Sequence, residues 1–420
     1  MGTTGRWLCI ISQMSSCLLM PCVFLVLGGQ LLDGLFPNAF SQSTWTILMA
    51  LTVLPVCLVP TLKEGSGAAF AGCVGTIIAD ITGVGIVMHG MRGHPSVPYP
   101  ELKFSQVAGV FGNLSLAYGA GIVIPDLQRQ HSDPRRMPRV VGITVAFASA
   151  LFLVLASTAY SVVGCQISGN LLFTIYPDSD TGLTSLGFAS DWGMVVLAYI
   201  FMQFYISIAF SVVLNPAFYL AEFVVLGMHK KSIVDTENGF AFEENVTPAA
   251  IDAKSADLSV SNSSGQPSNR RSKTSYVSVA DSERVHDNEE EEAAEYIGTG
   301  VTIKYVSLRI VIITILVVLA IVVKDHFTEF ADFVGASCIT MSCILLPTTF
   351  YLIKAWGRIA IYEKAAAGVV LVACSFLGCY VTYTAGKALF APTENDAQFP
   401  YCHADFEKTI YYNYTAAHQE

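Results

Sequence analysis

Two glycines interrupt an apolar stretch of membrane-spanning length, residues 104–125. Gly119 and Gly121 flank Ala120 near its centre, and glycine weakens a helix because its backbone is the least restricted. Inside a bilayer no water satisfies freed N–H and C=O groups, so such a break survives only within protein or beside a water-filled cavity. Transporters use backbone groups freed in this way to hold a solute. The pattern therefore favours a carrier of small molecules.

Three polar side chains shortly precede these glycines. Asn113 and Ser115 supply neutral hydrogen-bond donors and acceptors, and Tyr118 supplies an aromatic wall. Together with the backbone of residues 119–121 they form a candidate site for a zwitterionic solute. Small residues also let neighbouring helices approach closely, so the sequence leaves a binding site and simple helix packing open as alternatives.

An acidic residue, Asp80, lies deep within another apolar stretch, residues 67–90. A carboxylate there is unfavourable unless it is paired, protonated or directed into a cavity, so a functional role is the default expectation. Thr76 lies one helical turn earlier on the same face. Asp80 could couple transport to a proton or a cation, or it could join two helices through hydrogen bonds.

Two further sets of polar residues are weaker candidates. Ser207 and Ser211 are one helical turn apart and could offer hydroxyls to a cation or solute, although hydroxyls on a packed helix face more often serve its structure. Asp332 and Glu329 lie at the outer mouth of the eighth apolar stretch, residues 329–353, beside His326. They could form an outer gate, but we expect ordinary solvated acids at a helix end.

No residue pattern indicates catalysis or cofactor binding. The chain contains no GxSxG, HExxH, Walker loop or Cys/His nucleophile set, so we expect that it is not an enzyme and needs no cofactor. No CxxC pair or Cys/His metal spacing occurs, and no metal site is expected. Most of the eleven cysteines lie in apolar runs, where they act as small hydrophobic residues.

The composition places the chain in a lipid bilayer. Apolar residues make up 53% of it and charged residues 13%, against roughly 25% charged in soluble domains, and the mean hydropathy is +0.53. A soluble protein could not cover so much apolar surface. We predict an all-α polytopic membrane protein with about nine spans. The apolar stretches are residues 7–32, 44–62, 67–90, 104–125, 140–163, 191–227, 305–323, 329–353 and 361–385.

Lys and Arg concentrate in alternate connecting segments, which predicts a cytoplasmic N-terminus. Residues 1–228 then hold six spans and residues 304–385 hold three, and residues 386–420 form a C-terminal tail on the other side of the membrane.

The intervening residues 229–303 carry fourteen acidic and seven basic residues and predict a disordered cytoplasmic loop. Their acidity accounts for most of the net charge of −10 and indicates no nucleic-acid partner. Basic residues precede Ser272 and Thr274, so a kinase could act there, although an unmodified tether is the simpler interpretation.

Three motifs resemble the amino acid/auxin permease family. The first runs from Leu116 to Gly121 and on through Pro125 to residues 133–140, and it is similar to the sixth helix of that family and its following loop. The second, residues 215–222, is similar to the inner end of the eighth helix. The third, residues 335–336 with 345–351, is similar to the tenth. The resemblance covers about residues 7–385.

This resemblance implies the broken-helix inverted-repeat transporter fold. It further implies symport of an amino acid with a proton or sodium ion by alternating access, in a plasma, vacuolar or lysosomal membrane. Residues 118–121 would bind the backbone groups of the substrate, and Asp80 is our candidate for the coupling residue. A non-transporting sensor or scaffold that signals through residues 229–303 is the rival function.

One departure from the family pattern concerns the start of the chain. Family members usually have eleven helices, but the first span here is similar to the third of the family. The first two helices, one of which shares the substrate site, have no counterpart in this sequence. We expect that the sequence comes from a truncated gene model. The alternatives are that a partner supplies the missing part or that transport is lost.

Overall fold

The computed structural model describes residues 2–58, 66–92, 103–130, 136–178, 181–228, 296 and 299–390. This part of the chain is helical almost throughout, and its extended pairings are two isolated bridges, Pro177 with Thr184 and Leu183 with Ala189. The predicted all-α fold is confirmed. The predicted acidic loop with Ser272 and Thr274 lies almost wholly outside the described residues, as does the C-terminal tail beyond residue 390.

The described residues form twelve α-helices. In order they are α1 Gly2–Leu35, α2 Gln42–Leu58, α3 Ser66–Gly90, α4 Phe104–Ala117, α5 Ile124–Gln130, α6 Met137–Val163, α7 Leu171–Ile175, α8 Trp192–Ala221, α9 Thr299–Val323, α10 Phe327–Val334, α11 Leu346–Ala355 and α12 Ile361–Phe390. Tighter 3-10 turns span Gly119–Ile122, Gly164–Gln166 and Lys324–His326. Wider π-helical stretches span Glu222–Leu226 and Gly335–Leu345, and we call the second of these the π segment.

Six helical runs of the described chain are long and apolar enough to cross a membrane. A crossing needs about 20 apolar residues, and one run, Gly300–Ala355, has 56 residues, which is enough for two crossings. The other runs are Thr4–Leu35, Gly67–Gly90, Met137–Gln166, Trp192–Leu226 and Ile361–Phe390. The chain is therefore an integral membrane protein, and helical structure coincides with each of the nine predicted stretches.

Large apolar side chains lie uncovered on the outer surface of these helices. Ile361 exposes 84% of its surface and Leu153 exposes 72%, and many similar residues follow the length of α6 and α12. Soluble proteins do not leave apolar patches of this extent in water. Lipid chains would cover these side chains at no cost in free energy, as the composition predicts.

The contacts divide the helices into two units. The described residues of the first unit fall within the ranges 1–127, 138–217 and 309–420, and those of the second fall within 128–137 and 218–308. All ten residues predicted for substrate binding or ion coupling belong to the first unit.

In the first unit α4 packs against α10, α12 and the π segment, while α1 packs against α2 and the π segment. α3 lies against α7, and two of its glycines face α8, with Gly72 beside Tyr205 and Gly75 beside Phe201. Small residues at these crossings let the helices approach closely. This packing places α1, α4 and the π segment around the glycines of the fourth predicted span.

In the second unit Glu222 is fully buried at the start of a π-helical stretch. The Tyr296 hydroxyl donates to Glu222 Oε2 at 2.7 Å, and the Tyr296 ring lies edge-on to Tyr305 with 5.0 Å between the centroids. Gly227 ends this stretch at φ 69°, a left-handed conformation that glycine adopts without steric strain.

Candidate functional site

The fourth predicted span is interrupted at its glycines. α4 ends at Ala117, Tyr118 departs from helical geometry at φ −92° and ψ 15°, and the 3-10 turn Gly119–Ile122 precedes α5. A 3-10 turn bonds each N–H to the carbonyl three residues back, so the α-helical pattern is lost here. Some backbone groups of this region therefore need other partners.

Side chains from distant parts of the chain bind two carbonyl groups at the interruption. Gln13 Nε2 on α1 donates to Ile122 O at 3.1 Å, and the Cys343 thiol of the π segment donates to Gly119 O at 3.7 Å. A thiol is a weak donor, so the second contact is the weaker one. The interruption thus offers two acceptor oxygens that bind side chains of separate elements.

The 3-10 turn packs against α1 and the π segment. Gly119 is buried beside Met20 and Ile339, and a Cβ on Gly121 would lie 2.8 Å from Cys343 Sγ. Real Cβ atoms essentially never come so close, so a larger residue at position 121 would displace the π segment or the turn. Ala120, in contrast, is exposed.

The three predicted polar residues around the interruption have different surroundings. Tyr118 Oη lies 2.6 Å from Ser149 Oγ on α6. Ser115 is buried and accepts a hydrogen bond of 3.2 Å from Thr340 Oγ1 of the π segment. Asn113 is exposed on α4. The structure therefore brings Ser115 and the glycines to the π segment and connects Tyr118 to α6.

Sequence reasoning missed the π segment and the residues of α1 that face it. Ser16 Oγ and Ser342 Oγ lie 2.8 Å apart, next to the Gln13 and Cys343 contacts already described. π-helical turns occur frequently at functional sites. The available sequence signal was the concentration of small and polar residues from Gly335 to Cys343 inside an apolar span, which packing alone could also explain.

The predicted coupling residues lie on two other helices. Thr76 Oγ1 donates to Gly72 O within α3. Asp80 is half-buried on α3, and its carboxyl group interacts electrostatically with the Tyr205 side chain of α8. Ser207 donates to Gln203 O at 2.8 Å and Ser211 to Ser207 O at 2.9 Å, so both hydroxyls bond the backbone of α8.

A cavity of about 610 Å³ lies between α1, α2 and α8. Its wall is mostly apolar, and its polar side chains include Thr52, Gln203 and Ser207. Gln203 Oε1 is buried without a hydrogen-bond partner. Ser207 thus lines a cavity, whereas residues 118–121 do not belong to its wall.

Asp332 differs from the solvated acid that we expected at a helix end. It lies on α10 where this helix packs against α4, and its Oδ1 atom is buried and makes no hydrogen bond. The expectation was wrong because the position of a residue along its own helix does not reveal whether another helix covers it. Here the backbone of Gly112 on α4 covers the carboxyl group.

Two observations bear on metals and on the cysteines. In the described part of the chain no three His, Cys, Asp or Glu side chains are grouped to hold a metal ion. Nine cysteines there are free, while Cys165, in the 3-10 turn after α6, is disulfide-bonded.

Comparison with known proteins gives one family and one relative. The family described as transmembrane amino acid transporter protein matches residues 1–387. The amino acid transporter AVT1D of Arabidopsis thaliana is 28% identical over 177 residues. That alignment covers 39% of this chain and 31% of the relative, so the chain spans about a third of the length of the curated relative that it matches. No solved structure matches.

Proposed function

Because the chain belongs to the family of transmembrane amino acid transporters, which is a family of carriers and not of enzymes, we propose that it moves amino acids across a membrane by alternating access. The observation that carries this proposal is the interruption of the fourth span. There, the Gly119 and Ile122 carbonyls are bound by the side chains of Cys343 and Gln13. Side chains can leave such acceptors, whereas helical hydrogen bonds cannot break without unwinding the helix.

The ammonium group of an amino acid could replace both side chains. It carries three N–H donors, and hydrogen bonds from a charged donor are stronger than those from an amide or a thiol. Asn113 and Ser115 on α4, the polar residues predicted from the sequence, would supply neutral donors for the carboxylate. Substrate binding would therefore exchange two internal contacts for stronger ones and release α1 and the π segment from the interruption.

Coupling to a proton or sodium ion belongs to the same proposal. The half-buried Asp80 is the candidate from the sequence, with Thr76 on its helix and Ser207 and Ser211 on α8. The contact of α3 with α8 through Gly72 supports a role that joins these two helices. Both serine hydroxyls already bond their own backbone, so a cation would have to bind their remaining lone pairs.

The disulfide at Cys165 supports the predicted orientation. Disulfides persist in oxidising compartments and are rare in the cytosol, so the segment after α6 would face the outside or a lumen. The same orientation places residues 229–303 in the cytoplasm, where a kinase could reach Ser272 or Thr274. That part of the proposal rests on the sequence.

Uptake of labelled amino acids into proteoliposomes tests the proposal. We expect uptake by the wild type and its loss in Gly119→Leu, because a leucine would push Met20 and Ile339 away from the turn. Gly109→Leu is the matched control, since a Cβ at Gly109 of α4 meets nothing within 4 Å. Equal uptake by the wild type and Gly119→Leu would refute a substrate site at the interruption.

A non-transporting sensor or scaffold is the second candidate. The observation in its favour is that Gln13, Cys343 and Met20 already fill the surroundings of the interruption. A sensor would bind an amino acid without moving it. Thermal stabilisation by amino acids in detergent, together with neither uptake nor exchange in proteoliposomes, would favour this candidate over the carrier.

A further inference from the structure

The carboxyl group of Asp332 lies against the backbone of the interrupted span. A Cβ built on Gly112 of α4 would be 2.6 Å from the Asp332 carbonyl oxygen and 2.9 Å from Oδ1. The carboxyl group is also close to the backbone N–H of Asn113, while Oδ1 itself is buried and makes no hydrogen bond. A polar atom left in this state within a membrane span requires an explanation.

The same crossing contains the closest approach of the two elements. A Cβ on Gly335, at the start of the π segment, would overlap the carbonyl oxygen of Gly112. Glycine is thus required on both sides, and Asp332 lies one helical turn before this contact. A change in the separation of α4 and α10 would therefore alter the surroundings of Asp332 directly.

The charge of Asp332 determines how well it tolerates this position. When ionised, the buried carboxyl group holds its negative charge with Oδ1 unpaired and with the Asn113 N–H as a donor, which is unfavourable within a membrane span, whereas the neutral carboxyl group has no charge to solvate. The neutral form therefore favours the close crossing, and the ionised form favours separation and entry of water.

Glu329, on the same helix, is the charged neighbour that interacts with Asp332. α4 carries no charged residue between Phe104 and Ala117. The other titratable groups on elements packed against α10 are Lys324, Asp325 and His326 of the preceding turn, Arg6, Cys9, Cys17, Cys22 and Asp33 of α1, Cys338 and Cys343 of the π segment, and Tyr362, Glu363, Lys364, Cys374, Cys379, Tyr380, Tyr383 and Lys387 of α12.

We propose that Asp332 takes up a proton when α4 closes on α10 and releases it when this crossing opens, so that proton binding is coupled to movement of the interrupted span. The inference rests on the proposed function and adds a second acid to Asp80. The coupling is thereby assigned to the contact between α4 and the π segment. The contact that opens is the one between Gly112 and Gly335.

A proton fits this crossing better than a metal cation. Sodium and similar cations need several oxygen ligands around them, and the backbone of Gly112 already occupies the space beside Oδ1. A proton needs no such space. The described residues also hold no cluster of acids around Asp332 that could complete a cation site.

The test compares two transport modes of the full chain in proteoliposomes. One mode is accumulation of labelled amino acids driven by a pH gradient, with the gradient imposed in either direction. The other is exchange against preloaded amino acids at equal pH, which needs no net proton movement. Asp325→Asn, an exposed acid of the turn before α10, is the matched control for removal of one carboxylate.

We expect Asp332→Asn to lower gradient-driven accumulation about tenfold, within the usual range for coupled binding, and to retain exchange. Asp325→Asn should retain both modes. Asp332→Glu keeps the titratable group, and its extra methylene presses on Gly112 and disfavours the close crossing; it should retain gradient-driven accumulation but shift the pH of half-maximal uptake, a readout that a purely structural carboxyl group would not move. If Asp332→Asn fails to fold, this shift in Asp332→Glu decides the question.

The outcomes separate the inference from the function that it presumes. Absence of both modes in the folded wild type would refute amino acid transport. Three outcomes would overturn the role of Asp332 and leave transport standing. They are full accumulation by Asp332→Asn, an unshifted pH profile in Asp332→Glu, and wild-type accumulation that responds only to a sodium gradient.

Discussion

Gly112 and Gly335 bring α4 and the π segment into direct backbone contact, because a Cβ on Gly335 would overlap the carbonyl oxygen of Gly112. No rotation of a side chain can relieve that overlap, since both partners belong to the backbone. The contact fixes the position of the interrupted span against the segment that carries Cys343.

Gly335→Ala should therefore destabilise the protein. Overpacking a tight site typically lowers stability by about 1–3 kcal/mol, and a clash with backbone belongs at the upper end. Thermal unfolding in detergent should show a melting temperature several degrees lower than that of the wild type, in line with the roughly 2–4 °C per kcal/mol of mid-sized domains. Gly109→Ala on α4, which points into open space, should unfold at the wild-type temperature, and equal melting of both variants would contradict the packing.

Gln13→Met should disturb the interruption without changing side-chain size greatly. It removes the amide that donates to Ile122 O, and a buried acceptor left without a donor is destabilising by about 1–3 kcal/mol. We expect lower thermal stability in the absence of substrate. Ser15→Ala on the same helix is the control, because that exposed hydroxyl bonds the carbonyl of Ile11 within its own helix. A Gln13→Met protein that is as stable as the wild type would show that the contact is dispensable.

Cys343 should report on occupation of the interruption by substrate. If an amino acid displaces the thiol from Gly119 O, the π segment moves and the alkylation rate of Cys343 changes. We expect a saturable change in maleimide labelling as amino acid concentration rises, measured by mass spectrometry of the labelled peptides. Labelling of Cys379, an exposed cysteine on α12, should stay constant. Parallel changes at both cysteines, or none at Cys343, would argue against this displacement.

Asp80→Asn tests the coupling residue taken from the sequence. An asparagine cannot carry the proton or neutralise a cation, so stimulation of uptake by an ion gradient should fall while the protein stays folded. Ser207→Ala belongs in the same assay, because its hydroxyl bonds the backbone of α8 and its removal should have a small effect. Full gradient dependence in Asp80→Asn would exclude Asp80 from coupling and leave Asp332 as the acid to consider.

Tyr118→Phe tests whether the connection to α6 matters for transport. The change removes the hydroxyl that lies 2.6 Å from Ser149 Oγ and keeps the ring, which lies edge-on to Phe152. We expect slower uptake with little loss of stability, since Ser149 still donates to Val145 O. The initial uptake rate and the melting temperature should each be the same in Tyr118→Phe and in Ser149→Ala. Slow uptake by Tyr118→Phe together with wild-type uptake by Ser149→Ala would assign the Tyr118 hydroxyl a role other than its contact with Ser149.

Several features were predictable because the bilayer imposes them locally. Apolar stretches such as residues 67–90 and 361–385 had to be helices, since lipid offers no partner for the backbone, and the structure has α3 and α12 there. The break at Gly119 follows from the residues themselves. The C-terminal limit of the fourth span was less predictable, because the chain leaves α-helical geometry at Tyr118 and resumes it at Ile124.

The side chains that bind the interruption could not be predicted from the sequence. Gln13 and Cys343 lie 109 and 224 residues from the carbonyls that they bind, and no local pattern marks an amide or a thiol as a ligand of a particular oxygen. Asp332 was misjudged for the same reason, since its surroundings depend on α4 and not on its own helix.

By itself the sequence determined a polytopic helical membrane protein with one span weakened by glycine, because hydropathy and backbone propensity act within a single helix. Only the tertiary structure decided which side chains bind the carbonyl groups at the interruption, and which acid lies beside the interrupted span. Those contacts depend on how closely separate helices pack, and at Gly112 and Gly335 that distance is set by the absence of side chains on both surfaces.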